Sequence, residues 1–258
     1  IHYLSEGGGE RTFLLFNGAT LPLEFWGGLA DRLARASRVL RFDQRNAGST
    51  RAQGVFSLND VARDADRLLD HLGIERAVVV GHAWGGRAAQ VFTRDYPHRV
   101  DGMVICGTGG QFSPSVDAAA LESLNDAMRS GDRAAWETSV EAVYCAPGFS
   151  ARDPQTFGDV CEVIWNHPPR RDIRWDPRVS PSSSYWGLAR IPTLLIYGRH
   201  DRFGTPENAA DLHQRIPESR LVTIEDAGHF VVREAEAQIA AEIGRFTSEL
   251  PQSKGDSK

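Results

Sequence analysis

The sequence predicts an α/β fold: a mostly parallel central sheet flanked by helices, with an inserted helical cap. Three observations predict it. Short apolar, β-rich runs alternate with stretches of helical periodicity along most of the chain, as in sheets whose parallel strands are joined by helical crossovers. One such run, Val78-Val79-Val80, leads into Gly81-His82-Ala83-Trp84-Gly85-Gly86, a sharp turn that opens a helix. Between about Gln111 and Leu188 the alternation stops, helical stretches follow one another with no strong strand, and then the alternation resumes. The expected division is a core of 1–110 and 189–250, a cap of 111–188 and a disordered tail of 251–258.

The elements follow in order. Ile1–Ser5 begins in the middle of a strand, and Thr12–Phe16 is a continuous apolar run ending at Asn17-Gly18, as a strand buried on both faces does. Phe25–Arg35 reads as a helix and Arg38–Phe42 as the next strand, running into the polar turn Asp43–Thr50. Ser57–Leu72 is the clearest helix: Ser57 and Asp60 can each satisfy the other's exposed backbone donor. Val61, Ala65, Leu68, Leu69 and Leu72 form its apolar stripe, and Gly73 closes it. Ala77–Val80 is a short strand, followed by a helix through about Tyr96 and a strand over Val100–Cys106. The cap contains helical stretches near Val116–Ser130, Arg133–Tyr144 and Pro154–Trp165, and then the loop His167–Ser184, rich in proline, arginine and serine. Pro192–Tyr197 is a strand, Pro206–Arg215 a helix, Arg220–Ile224 a strand and Glu234–Leu250 the closing helix.

Composition excludes several function classes. At 258 residues, 41% hydrophobic and 24% charged, the chain has the make-up of a soluble globular protein able to bury a large core. A net charge of −5 gives no global attraction to phosphate backbones, so nucleic acid is not an expected partner. No apolar run reaches the roughly 20 residues of a membrane-spanning helix, and no membrane partner is expected. Cys106, Cys145 and Cys161 have neither metal-ligand spacing nor the even count of a disulfide framework, although Cys145 and Cys161 could face one another. The expected compartment is the cytoplasm; because residue 1 is isoleucine, an upstream signal that is removed stays compatible with the sequence.

The chemistry is carried by three motifs. Gly81-His82-Ala83-Trp84-Gly85 has the G-x-S-x-G pattern with alanine in the serine position. Glycines two residues away let strand and helix approach closely, and the turn lifts residue 83 towards the N-terminus of the next helix, where backbone N–H groups can stabilise an oxyanion. Alone, this turn could equally be close strand–helix packing. Leu194–Tyr197, however, is followed by Gly198-Arg199-His200-Asp201, and the last strand by Asp226-Ala227-Gly228-His229-Phe230. An acid and a histidine thus fall in turn at the carboxyl ends of predicted parallel strands, where open α/β sheets place ligands. Asp226 is the nearest rival acid, but lies too close to His229 in sequence for the usual loop.

With the order nucleophile, acid, histidine in place, nearly all of the chain from Ile1 to about Leu250 resembles an α/β hydrolase. It is similar to the branch containing enol-lactonases, meta-cleavage C–C hydrolases and related esterases and lactonases. Phe16-Asn17-Gly18-Ala19 stands where the family has His-Gly before an oxyanion-hole residue, with Asn17 a departure that leaves the backbone donor of Ala19 intact. The turn Asp43–Thr50 resembles the family's D-x-R-G-x-G-x-S, with Asn46 and Thr50 as departures, and is expected to shape the site floor. The resemblance implies that residue 83, as serine, would attack a carbonyl. His229 would take its proton and deliver it to the leaving group, and Asp201 would orient the imidazole. The backbone N–H groups of Ala19 and Trp84 would hold the oxyanion, and His82 would be structural. No metal or organic cofactor is implied; the implied partner is a small-molecule ester or lactone.

A methyl group attacks no carbonyl, so Ala83 has to be explained. One explanation is an inactivating replacement of serine: the elbow glycines, Asp201 and His229 all remain, and a strained backbone at an alanine has no use of its own. The alternative is an enzyme naturally without the serine, whose His229–Asp201 pair is a general base beneath an intact oxyanion hole, resembling cofactor-independent quinolone dioxygenases, or a lyase or water-activating hydrolase. A non-enzymatic small-ligand receptor is a third class, against which the retained pair counts. In and near the cap, Trp136, Trp165, Trp175 and Trp186 are candidates to line an apolar cavity. Arg170, Arg171 and Arg174 could orient a carboxylate, although an arginine run in a polar loop is more often solvated.

Overall fold

The uninterrupted apolar runs of the sequence form the middle of one sheet. The structure, a computed structural model, describes every residue except 46, 53, 168–172, 176–180 and 252–258, and the backbone alone at 173–175. Its strands are β1 (Tyr3–Gly7), β2 (Thr12–Phe16), β3 (Arg38–Phe42), β4 (Gly54–Phe56), β5 (Ala77–His82), β6 (Val100–Cys106), β7 (Ile173–Trp175), β8 (Thr193–Gly198) and β9 (Ser219–Ile224). The helices of the first half are α1 (Gly27–Ala34), α2 (Leu58–His71) and α3 (Trp84–Asp95). The inserted helices are α4 (Ala118–Ser130), α5 (Arg133–Tyr144), α6 (Phe149–Arg152) and α7 (Pro154–Asn166). The last are α8 (Pro206–Arg215), α9 (Val231–Glu234) and α10 (Glu236–Glu249).

Seven strands pair in the order β1-β3-β2-β5-β6-β8-β9. Only the edge pair β1–β3 is antiparallel; β2, β5, β6, β8 and β9 run parallel with their neighbours, and β6 pairs directly with β8. All residues of the central strands β5 and β8 are buried, which is why these strands read as apolar runs and not as alternation. Side chains alternate between the two faces. Val78, Val80, Leu194 and Ile196 pack with α1, α10 and the inserted helices, whereas Val79, Met103 and Leu195 pack with α2, α3 and α8.

The local signals of α2 are met. Ser57 Oγ accepts from Asp60 N at 3.2 Å, Asp60 Oδ2 accepts from Ser57 N at 2.9 Å, and Gly73 follows the helix at φ 62°. Elsewhere the elements differ in detail. The expected helix Phe25–Arg35 starts as a 3₁₀ turn, Leu23–Trp26, before α1. The closing helix is split at Ala235 into α9 and α10. β5 runs on to His82, two residues beyond the apolar run. β4 and β7, which sequence periodicity does not reveal, pair in parallel as a separate two-stranded sheet; three residues are too few to establish a period.

Of the four cap tryptophans, Trp136 is buried and meets Trp165 edge-to-face at 5.1 Å. Trp186 packs on the opposite face of the sheet and donates to Asp211 Oδ2 at 2.6 Å. The side chains of Trp175 and Arg174, with Arg170, Arg171, Asn46 and the tail 252–258, lie outside the described residues. All three cysteines are buried free thiols.

Gly81 shows how tightly strand and helix meet. A Cβ there would lie 2.6 Å from both the Gly85 carbonyl oxygen and Gly86 Cα, backbone atoms that cannot rotate away. Gly81→Ala is therefore expected to cost about 1–3 kcal/mol and to displace residue 83. Denaturant unfolding measures the first effect; a variant as stable as the parent would contradict the packing argument.

Candidate active site

The site begins with a backbone that glycine alone would tolerate easily. Ala83 lies between β5 and α3 at φ 51°, ψ −119°, conformations that cost a residue with a Cβ about 1–3 kcal/mol. Three bonds hold it there: its N–H donates to the Cys106 carbonyl at 2.9 Å, its own carbonyl accepts from Gly86 N at 3.1 Å, and the Thr108 hydroxyl donates to that carbonyl at 2.9 Å. Thr108 is fixed in turn by the Tyr197 hydroxyl, which donates to the Thr108 carbonyl at 2.9 Å. Burial raises the Tyr197 phenol well above its usual range, so it remains a donor.

Asp201 and His229 come together from the turns after β8 and β9. His229 Nδ1 lies 2.9 Å from Asp201 Oδ1 and 3.1 Å from Oδ2. Oδ1 also accepts from the backbone N–H groups of Phe203 and Gly204, each at 2.8 Å, so the carboxylate is locked before it meets the imidazole. Asp201 is 3% exposed and His229 8%. Asp226, the rival acid, is exposed. His82 supports the arrangement from beneath: its Nε2 is 2.8 Å from the His229 carbonyl, and its ring stacks on Phe25 at 5.6 Å. Burial, reinforced by His229, pushes its pKa down to about 3, so the ring is neutral and Nε2–H donates.

Ala83, Trp84, Ala19 and His229 line one cavity of about 510 Å³, with Asp201 behind the imidazole. With Nδ1 engaged by Asp201, Nε2 is the nitrogen that His229 has left for a ligand. Leu124, Met128, Trp136 and Val140 form an apolar roof from the inserted helices, and Gln44, Arg45 and Ala47 contribute a partly polar floor. Two of the sequence departures, Asn17 and Thr50, keep their neighbours in order. Asn17 accepts from Trp26 Nε1 at 2.6 Å and donates to the carbonyls of Leu21 and Phe42, while the Thr50 hydroxyl donates to the Asp43 carbonyl at 2.6 Å.

Sequence reasoning missed several lining residues. Thr20, at φ 61°, is with Ala83 one of the two non-glycine residues of positive φ among the described residues, and both line this cavity. For a β-branched residue such a φ marks a constrained site, but nothing in the sequence announces it. Tyr144, at the end of α5, and Phe203, in the turn after β8, have rings that stack at 5.1 Å, and both line the cavity. Gln44, in the turn expected to shape the floor, gives its Nε2–H to the Asn17 carbonyl at 2.7 Å and keeps a buried Oε1 without a partner among the described residues. Among the described residues no group of three or more His, Cys, Asp or Glu is placed to hold a metal ion, and no helix is long and apolar enough to cross a membrane.

A parallel sheet with an inserted helical roof, and a strained turn after β5 facing a histidine–acid pair after β8 and β9, define the class. The chain belongs to the alpha/beta hydrolase fold family, whose profile matches residues 11–149 and 167–235. It is 28% identical over 244 residues to a 2-hydroxy-6-oxononadienedioate/2-hydroxy-6-oxononatrienedioate hydrolase of Paraburkholderia phymatum, covering 89% of this chain and 84% of that one. It is 27% identical over 243 residues to the 2-hydroxy-6-oxo-6-phenylhexa-2,4-dienoate hydrolase of Comamonas testosteroni, covering 89% and 85%. The fold is similar to that of the enol-lactonase from Burkholderia xenovorans LB400, with a TM-score of 0.76 at 23% identity over 96% of each chain.

Proposed function

We propose that this cavity is the site of a hydrolase for small, partly apolar carboxylic esters or lactones, with C–C bonds beside a carbonyl as close chemical neighbours. Its machinery is of the Ser-His-Asp type, and residue 83, at the nucleophile's place, carries a methyl group. The observation that carries this reading is the backbone of Ala83. A φ of 51° is costly to alanine and useful only for presenting a side chain between the helix N-terminus and His229. With serine there, its Oγ would attack the carbonyl carbon as His229 Nε2 takes the proton. The Ala19 and Trp84 N–H groups would hold the oxyanion, and the proton would then pass to the leaving oxygen. Asp201 would hold Nδ1–H and stabilise the imidazolium. The apolar roof supports partly hydrophobic substrates, and the relatives' names, hydrolases of oxo-dienoates, support a small carbonyl compound.

As it stands the chain then has little acyl-transfer activity. The test is turnover of aryl esters and lactones by this chain and by Ala83→Ser, with binding measured in both. A gain in the serine variant is expected; none, on ligands that bind, would overturn the reading. A second reading has its own observation in the intact His229–Asp201 pair, 2.9 Å apart and buried. In it His229 Nε2 is a general base towards water or an acidic substrate proton, in a cofactor-free dioxygenase, a lyase or a water-activating hydrolase. His229→Ala in the Ala83 chain discriminates: it abolishes such turnover and leaves ligand binding by a non-enzymatic receptor in place.

A further inference from the structure

The Asp201–His229 pair has a third carboxylate behind it. Glu234, the last residue of α9, is half-buried and points both oxygens at backbone donors: Oε1 accepts from Gly228 N at 3.0 Å and Oε2 from Ala146 N at 2.7 Å. Gly228 precedes the histidine, and Ala146 lies just past the C-terminus of α5 in the inserted helices. A further bond ties the same two segments, from His229 N to the Tyr144 carbonyl at 2.6 Å. The contact leaves no slack, since a Cβ on Gly228 would lie 2.6 Å from the Cys145 carbonyl carbon and 2.7 Å from Ala146 N. On its cavity side the junction carries the Tyr144 ring, stacked on Phe230 at 4.6 Å.

We propose that Glu234 is a positioning residue: its carboxylate clamps the histidine loop to the end of α5, so that the imidazole's placement and the seating of the roof are set together. This rests on reading His229 as the base. Two N–H groups converging on one carboxylate are charge-assisted bonds, stronger than neutral ones, and a largely desolvated acid with no cationic side chain on it among the described residues is otherwise an expensive choice. The groups facing it are Asp201 and His229 from the core loops and the Cys145 thiol from the inserted segment; the adjacent Arg233 turns instead to Asp159 and the Phe25 carbonyl. Burial, opposed by the two N–H bonds, raises the Glu234 pKa to about 7. The clamp is thus ionised above that pH, and below it one oxygen becomes a hydroxyl that accepts less well.

Two measurements test this, one of them independent of turnover. In the chain as it stands, the amide proton resonances of Gly228 and Ala146 should titrate together with a midpoint near 7, and should lose that titration in Glu234→Gln. In the Ala83→Ser background, Glu234→Gln should lower kcat about 10–100-fold through misplacement of the imidazole. It should also make the acid limb of the kcat/KM profile shallower by one proton, which a merely structural brace would not do. If Ala83→Ser shows no turnover, the hydrolase reading fails and the resonance experiment still decides the clamp. If Glu234→Gln does not fold, the parent's paired titration decides it alone. Amides that ignore pH, or a glutamine variant with unchanged kcat and pH profile, would overturn the proposal.

Discussion

Ala83→Ser is expected to raise the turnover of aryl esters and lactones by up to about a millionfold, the loss usually seen when a triad serine is removed. The size of the effect follows from what is already built. The elbow is strained, its carbonyl is pinned by Thr108, and His229 is held by Asp201. One oxygen atom on an existing Cβ supplies the missing group without reorganising the backbone. The residual rate of the alanine chain should not be zero, because an oxyanion hole and binding alone give about 10³–10⁴ over water in comparable sites. The serine variant should also show a burst of leaving group in the first turnover, the sign of an acyl-enzyme. A gain without a burst would point to serine assisting water, and no gain on ligands that bind would move the chemistry to His229 alone.

The second large effect concerns Asp201. In the Ala83→Ser background, Asp201→Asn should lower kcat by about 10⁴ with little change in fold or KM. Oδ1 accepts from both Phe203 N and Gly204 N, so the amide oxygen of asparagine must take that position. Its NH₂ group then replaces Oδ2 and faces His229 Nδ1, 3.1 Å from Oδ2 in the parent. Nδ1 then lies between the amide oxygen, at 2.9 Å, and the new donor, so the side chain no longer holds the ring to the Nδ1–H tautomer and the proton can sit on Nε2, where a general base needs its lone pair. Steady-state kinetics beside a thermal melt checks this: a variant that keeps its kcat would show that the carboxylate does not select the tautomer.

How much of this was legible in the sequence depends on the range of the interaction involved. The core strands and their mostly parallel arrangement follow from apolar runs alternating with helical stretches, and the Ser57–Asp60 box is a four-residue signal that needs no partner elsewhere. The turns carrying Ala83, Asp201 and His229 were legible for a similar reason: each is a strand end followed by glycine and a polar residue. Glu234 was not, because its partners are backbone N–H groups, one of them 88 residues away, and backbone donors leave no trace in residue type. Thr20 was hidden differently, since a positive φ at a β-branched residue is imposed by surroundings that sequence periodicity does not encode. Trp186, as readily a core residue as a cavity one from sequence, is a different case. It was grouped with the roof by its position in the chain, yet the chain has already returned to the sheet and buries it on the other face.

The direct pairing of β6 with β8 has a consequence for how this protein could change over generations. The two strands that bracket the insertion are already neighbours, so the roof is a detour between adjacent staves of a barrel-maker's frame rather than one of the staves. Helices there can be lengthened, exchanged or rebuilt while every hydrogen bond of the seven-stranded sheet stays where it is. Appetite for new molecules can thus be acquired in one part of the gene while the apparatus that would break them is inherited from another, as long as the end of α5, which holds the histidine loop, is kept.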